Sequence, residues 1–373
     1  MTLDTSTIFT GLRFPNPFLL SSAPPTESES NIMRAFDAGW GGVVTKTIGM
    51  HPVTNIDGPR TRFMRCDVAT GSISMNNRTG PLHSSWNWEL ISDKPLADWV
   101  PRIERIKRAF PEHILIASIM AGSGSDTELD HWRALATACQ DAGADGLELN
   151  LSCPHMDRAD MGSNIGKDQQ LCSFVTRVVK DVARVPVWAK LTPATSDIVL
   201  EAGAVFRGGA NAVSSSNTFP SLPLIDPESL TFEANVDGYV AIGGLGGPAI
   251  LPQSLAKMAQ MTTAFPDKAF SGIGGIAEFS HALNYFLLGC GTVQVCTAAM
   301  LDKAIGPSVI SRLLGGYRAF LERHATRGWR TLEDFRGLLR DRVVTHSKIR
   351  RPDRADYQGG YDHVEGYATP EHE

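Results

Sequence analysis

The stretch Gly146-Leu147-Glu148-Leu149-Asn150-Leu151-Ser152-Cys153-Pro154-His155 reads as a strand that stops at a chemical group. Its first half is apolar-rich, as in strands buried on both faces. Pro154 cannot continue a central strand, so the chain has to turn there. The turn leaves Asn150, Ser152, Cys153 and His155 at the carboxyl end of the strand. In an α/β barrel that end is the mouth, where such folds keep their chemistry. A structural cysteine at a strand end is the plainer alternative, because cysteines outside disulfides usually behave as small buried hydrophobes.

Working outward, the same pattern recurs along the chain. Short apolar runs at 16–20, 41–47, 113–119, 145–150, 185–191, 210–214, 269–272 and 292–296 read as strands. They alternate with helical spacing over 28–38, 95–109, 126–142, 168–184, 195–206, 250–264, 277–288 and 306–324. Eight strand–helix units in strict alternation predict an α/β chain folded as a (β/α)8 TIM barrel. Two connections are too long for ordinary loops: 50–85 after the second strand and 219–247 after the sixth. Both are expected to be functional insertions, the first of them irregular. The expected organisation is a barrel over 1–325 and a C-terminal extension over 326–373. That extension carries one more helix-like stretch and, from Arg350, a polar tail.

Composition sets limits. The chain has 373 residues, 42% of them hydrophobic and 20% charged, as in soluble globular proteins. A net charge of −5 argues against nucleic acid or an anionic membrane as partner. No apolar run reaches the roughly 18 residues of a membrane span, and the N-terminus lacks the basic and apolar regions of a signal peptide. None of the six cysteines, at 66, 139, 153, 172, 290 and 296, forms a C-x-x-C pair, and no H-E-x-x-H occurs. Neither a zinc ribbon nor a ferredoxin-type repeat is expected, and no metal site. Cys139 and Cys172 read as core, and the setting as reducing and cytoplasmic. The oligomeric state is open, although barrels of this kind often pair as homodimers.

The strand ends carry the chemistry. They bring Ser21 and Ser22, Lys46, Asn150 with Ser152 and Cys153, Lys190, Ser216 with Asn217 and Thr218, Gly274 and Gly275, and Cys296 and Thr297 towards one mouth. Two lysines deep in such a site are costly unless an anion or a local carboxylate compensates each. Two runs, Gly243 to Ala249 and Gly272 to Ala277, loosely match G-x-G-x-x-A. Two matches in one chain show how unspecific that pattern is, and neither sits in a Rossmann half, so a dinucleotide fold is rejected. Glycines after the seventh strand suit the phosphate corner of many barrels, where backbone N–H groups hold an anion. Phosphate and two lysines together suit FMN, with a lysine near the N1–C2 edge to stabilise the anionic reduced ring.

These motifs also carry a resemblance. Asn-Leu-Ser-Cys-Pro-His at 150–155, Ala-Lys-Leu-Thr-Pro at 189–193, Asn-Thr at 217–218, Gly-Gly-Ile at 274–276 and the run Val293 to Cys296 are similar to segments of the dihydropyrimidine dehydrogenases. The chain resembles the flavin-barrel portion of those enzymes and their bacterial catalytic subunit over roughly residues 14–349. Soluble dihydroorotate dehydrogenases are similar but more distant. The resemblance implies FMN on the barrel mouth. It matches Ser22, Lys46, Lys190, Gly246, Gly274, Gly275, Cys296 and Thr297 to flavin positions. Asn87, Glu89, Asn150, Asn217 and Thr218 match residues that bond the pyrimidine, and Cys153 matches the proton donor. With the strand-end reading, the flavin set also takes Ser21, Asn87, Asn150, Ser216 and Gly247, and the substrate set takes Ser152.

The expected reaction is reduction of a pyrimidine C5–C6 bond, with hydride from FMN N5 and a proton from Cys153. A thiol has an ordinary pKa of about 8.5, near enough to neutrality to give and take a proton. Residues 154–166 suit a closing lid. The relatives carry iron–sulfur modules, whereas this chain ends in an acidic, cysteine-free tail. Electrons are therefore expected from a separate electron-transfer partner, from NAD(P)H, or from a soluble acceptor in the reverse direction. Trp86 and Trp88 flank Asn87, are bulkier than the usual residues of the resembled family, and suggest that the accepted ring differs from uracil or thymine. The alternatives are a dihydroorotate dehydrogenase-like reaction on another cyclic amide, a non-redox phosphate-binding isomerase or lyase, and a silent scaffold.

Overall fold

A computed structural model describes residues 3–153 and 158–349; Pro154, His155 and the tail from Arg350 lie outside the described residues. Eight parallel strands close into a barrel in sequential order. They are β1 (Phe18–Leu20), β2 (Gly42–Val44), β3 (Ile114–Ile119), β4 (Gly146–Leu151), β5 (Val187–Leu191), β6 (Ala212–Ser215), β7 (Ala269–Ile273) and β8 (Thr292–Val295). The helices between and after them are α1 (Glu29–Ala38), α2 (Leu96–Ala109), α3 (Asp126–Asp141), α4 (Gln169–Lys180), α5 (Ile198–Arg207), α6 (Leu251–Ala264), α7 (Phe279–Leu287) and α8 (Pro307–Arg323). This is the (β/α)8 TIM barrel. Side-chain caps define several helix starts: Ser28, Ser125, Asp168 and Asp197 each accept a backbone N–H of the first turn.

Period-2 alternation sorts the barrel interior into levels. At the amino-terminal level, Leu19, Val44, Ile116, Trp188 and Ala212 are fully buried in one apolar cluster. That cluster is completed from outside the barrel by Phe9 and Phe14. They belong to a hairpin of Thr7–Phe9 and Leu12–Phe14 that pairs antiparallel and stoppers the barrel's lower end. Phe9 meets Trp188 edge-on at 5.1 Å, and Trp188 Nε1 donates to Thr10 Oγ1 at 3.0 Å. Nothing in the sequence pattern announced this hairpin, because strands of three residues carry too little alternation to register. Two residues above Trp188 on the same strand face is Lys190, and the level between is polar.

The two insertions are not separate irregular loops. Thr61–Cys66 and Leu82–Asn87 from the first, with Phe219–Ser221 and Gly243–Gly246 from the second, form one antiparallel sheet with Ile73–Ser74 at its edge. The expectation of an irregular 50–85 is thus corrected: pairing partners far along the chain order it. Gly243 and Gly244 are strand residues in close quarters. A Cβ at Gly243 would come within 2.5 Å of the Trp86 ring, and one at Gly244 within 2.1 Å of Thr218 Oγ1. The sheet has its own small core of Met64, Met75, Trp86, Trp88 and Ala234. Trp86 and Trp88 therefore point away from Asn87, on the opposite face of the strand. The expectation that they bulk out the substrate ring does not hold.

Past α8 the expected extra helix is replaced by 3-10 turns at Ala325–Arg327, Leu332–Asp334 and Arg340–Arg342 and a short helix at His346–Ile349. Gly328 and Gly337, with φ of +84° and +77°, break any longer run. Leu332 and Phe335 nonetheless insert into the main barrel core. Among the described residues no helix is long and apolar enough to cross a membrane. Phe9→Ala should cost about 3–5 kcal/mol, the range for emptying a buried aromatic site. Urea unfolding should show a lower midpoint with an unchanged slope.

Candidate active site

A cavity opens at the carboxyl ends of the barrel strands, under the insertion sheet. Ser21 and Ser22 reach it from β1, Lys46 from β2, Asn150 and Cys153 from β4, and Lys190 from β5. Ser216, Asn217 and Thr218 follow β6, Gly274 and Gly275 follow β7, and Cys296 and Thr297 follow β8. The insertion sheet adds Asn87, Glu89, Gly246 and Gly247. Ser152 is the exception: it is fully buried one layer behind the wall. Cys153, the two lysines and the paired glycines thus border one space.

Each lysine is compensated by a carboxylate of the protein. Lys46 Nζ lies 3.1 Å from Glu89 Oε2, with the Arg60 guanidinium 3.8 Å from the same oxygen. Lys190 Nζ lies 4.0 Å from Glu148 Oε1 and donates to Ser21 Oγ at 3.4 Å. Glu148 has no solvent exposure. Its Oε2 accepts from Ser214 Oγ at 2.7 Å and from Gln294 Nε2 at 2.9 Å. Breaking such a buried pair from one side typically costs about 3–5 kcal/mol. The local-carboxylate explanation of the lysines therefore applies to both, and the lysines alone do not demand a bound anion.

The polar wall is a wired set of amides. Asn150 Nδ2 donates to Thr47 Oγ1 at 2.9 Å, while its Oδ1 accepts from Ser152 N and Oγ at 3.2 and 2.9 Å. Asn217 Nδ2 donates to Ser152 Oγ at 2.9 Å, and its Oδ1 accepts from Thr218 N at 2.7 Å. Asn87 Nδ2 donates to Gly244 O at 3.2 Å, and its Oδ1 accepts from Glu89 N at 3.2 Å. This network fixes the amide orientations. Asn150 and Asn217 each keep a second N–H for a ligand, so they offer donors, and the carboxylate of Glu89 is the acceptor beside them. Ser152 acts here by joining the two asparagines.

The remaining wall is backbone. Gly274 and Gly275 adopt φ of +127° and +75°, and a Cβ on them would meet Ser254 Oγ at 2.3 Å and Leu251 Cβ at 2.6 Å. Only glycine lets the chain pass there. Gly162, also at positive φ, packs on Cys153, whose carbonyl a Cβ would approach to 2.5 Å. Ser163 N donates to that same carbonyl at 2.9 Å. The described part of the expected lid, 158–166, is further tied down by Arg158, which pairs with Glu128 at 2.8 Å and Asp160 at 2.7 Å. Burial is the main reason that the Cys296 thiol is pushed up to about 11, against the pull of Lys190 and Lys46. It stays a neutral thiol near pH 7.

Sequence reasoning missed Thr47, Thr61, Ser85 and Gln294, which also border the cavity. Gln294 was legible, since it lies two residues before Cys296 on the inward face of β8. Ser85 was not, because only the insertion sheet brings it to Thr297, with the hydroxyls 2.9 Å apart.

The profile of the dihydroorotate dehydrogenase family matches residues 4–315. The chain is 34% identical over 353 residues to the chloroplastic dihydropyrimidine dehydrogenase (NADP(+)) of Arabidopsis thaliana, covering 93% of this chain and 79% of that protein. It is likewise 34% identical to the NAD-dependent dihydropyrimidine dehydrogenase subunit PreA of Escherichia coli, covering 94% and 80%. Against the dihydroorotate dehydrogenase B (NAD(+)) catalytic subunit of Methanothermobacter thermautotrophicus the identity is 30%, covering 91% and 99%. The chain belongs to the dihydroorotate dehydrogenase family, whose members are flavin-dependent oxidoreductases acting on CH–CH bonds.

Proposed function

We propose that the cavity binds FMN and reduces the C5–C6 double bond of a pyrimidine such as uracil or thymine, with Cys153 as proton donor. The observation that carries this reading is the sharing of one cavity by Cys153, Lys46, Lys190 and the Gly274-Gly275 turn. The residues present fit the cofactor. The glycine turn bordering the cavity bears no side chain, because a Cβ there would collide with Ser254 or Leu251. Gln294 Oε1, buried in the cavity wall, has no hydrogen-bond partner among the described residues and leaves an acceptor for a ligand N–H. Gly246, Gly247, Gly274, Gly275 and Thr297 would hold the phosphate. Ser21, Ser22, Lys46, Asn87, Asn150, Lys190, Ser216 and Cys296 would surround the ring system, with Lys190 at its N1–C2 edge.

When bound, FMN supplies a hydride for C6 of the pyrimidine. Cys153 supplies the proton at C5. The free N–H groups of Asn150 and Asn217 hold the ring carbonyls, and Glu89, kept in place by Lys46, accepts from a ring N–H. Asn87 and Thr218 complete the contacts. The reductant reaches the flavin from a separate partner or from a nicotinamide nucleotide. Core thiols such as Cys139, which burial pushes up to about 12, suit a reducing cytoplasmic setting. Oxidation of dihydroorotate is the second reading, favoured by the 30% identity to a catalytic subunit of that name.

Cys153→Ser should keep its yellow colour and lose turnover by about 10²–10⁴, the range for a general acid. Absorbance at the flavin band and initial rates check this; an undiminished rate at every pH would remove Cys153 from the mechanism. Glu89→Gln should raise KM for uracil more than it lowers kcat, since it weakens a contact present before and during reaction. Assaying uracil, thymine and dihydroorotate side by side separates the two readings. Turnover of dihydroorotate alone overturns the first, and protein that takes up no FMN overturns both.

A further inference from the structure

Lys190 is the lysine placed at the flavin's N1–C2 edge, and the way Glu148 faces it bears on the cofactor. Glu148 lies on β4 two residues before Asn150, so both point into the barrel. Asn150, Lys190 and Gln294 border the cavity, whereas Glu148 stands one level beneath them with no solvent exposure. The contact is one of charge and not a tether. Lys190 Nζ is 4.0 Å from Glu148 Oε1, beyond hydrogen-bond reach, and that oxygen has no hydrogen-bond partner among the described residues. The carboxylate is held instead by its other oxygen, which accepts from Ser214 Oγ and Gln294 Nε2. Gln294 Nε2 also reaches Ser271 Oγ at 3.4 Å, and Thr292 Oγ1 donates to that hydroxyl at 2.9 Å. These groups stand on β6, β7 and β8, so rigid barrel strands fix the anion in place.

Stability does not explain the pair. Replacing two buried charges by apolar residues of the same volume is often neutral or stabilising, and the level below is already apolar. The other lysine shows the contrast. Lys46 donates directly to Glu89 Oε2 at 3.1 Å, and Glu89 comes from the insertion, borders the cavity and is partly exposed. Glu148 does not border the cavity, so its charge bears on a ligand there only through the field it shares with Lys190. A cation and an anion this close act at a distance as a dipole, whose field fades faster than that of a lone charge.

We propose that Glu148 sets the reduction potential of the bound FMN: by offsetting Lys190, it removes most of the stabilisation that a lone ammonium would give the anionic reduced ring. The proposal rests on the reading of the cavity as an FMN site. Glu148 is a positioning residue in this, since it acts through Lys190 and touches neither flavin nor pyrimidine. The flavin is thereby kept at a lower potential, and is a stronger hydride donor towards a C5–C6 double bond than the lysine alone would allow. Because the carboxylate is locked between barrel strands, the offset does not depend on what else fills the cavity.

The test is the FMN midpoint potential, measured by dye-coupled equilibrium reduction of loaded wild-type and variant protein. Glu148→Gln keeps the side-chain volume and removes the charge. Reduced FMN should then bind about tenfold more tightly relative to oxidised FMN, a rise of about 30 mV for two electrons. Lys190→Met should shift the ratio the other way. Glu148→Asp, which retains the charge, should lie nearer wild type than Glu148→Gln does. The double variant Glu148→Gln/Lys190→Met leaves neither charge buried alone, and it decides the matter should Glu148→Gln not fold. Its ratio should stay within about threefold of wild type, or ~15 mV, because the pair it removes has little net field. A potential that falls or stays within that range in Glu148→Gln, or that leaves that range in the double variant, overturns the proposal. So does a shift as large in Glu148→Asp, since shape and not charge would then be responsible. Protein that takes up no FMN overturns the cavity reading and the proposal together, whereas loaded protein with the wrong shift overturns the proposal alone.

Discussion

A lysine ammonium inside a barrel needs a counter-charge, and Glu148 supplies it. This carboxylate sits with no solvent exposure halfway up β4, held by Ser214 and Gln294 and 4.0 Å from Lys190. Below it the barrel is an apolar plug of Trp188, Phe9 and Phe14. Above it lies the cavity, where polar groups such as Lys46, Asn150 and Lys190 stand among apolar ones such as Ile250 and Ile276. The pair therefore marks where packing stops and chemistry begins. A hydrophobic replacement could fill the same volume, but the lysine above would be left buried and unmatched.

The second counter-charge comes from outside the barrel. Lys46 follows β2, yet its partner Glu89 follows a strand of the insertion sheet. That ion pair, with the Ser85–Thr297 contact, fastens the insertion sheet over the barrel mouth. The sheet in turn stands on its own tryptophan-rich core, so it can present Asn87 and Glu89 without borrowing support from the cavity. The amides of Asn150 and Asn217 are oriented by Ser152 behind them, which makes the wall a set of fixed donors.

The fold was legible because eight units repeat one alternation, and long helices with capped starts report themselves. Most of the site was legible for a related reason. In a barrel, every polar residue at a carboxyl strand end faces the same mouth, so Lys46, Asn150, Cys153, Lys190 and Gly274 could be gathered without coordinates. Ser152 shows the limit of that rule. Strand position says that it is near the cavity, but only its bonds to Asn150 and Asn217 say that it stands behind the wall.

By itself, the sequence determined whatever depends on local period and chain direction: the barrel, its mouth, the glycine turn and the cysteine at a strand end. Tertiary structure alone decided the pairings between distant segments. It set the hairpin that stoppers the barrel, the sheet built jointly from two insertions, the outward turn of Trp86 and Trp88, and the carboxylate given to each lysine. The reason is physical. Alternation is written residue by residue, whereas a counter-charge or a strand partner is chosen by what folding brings within about 3–5 Å, and no spacing along the chain records that.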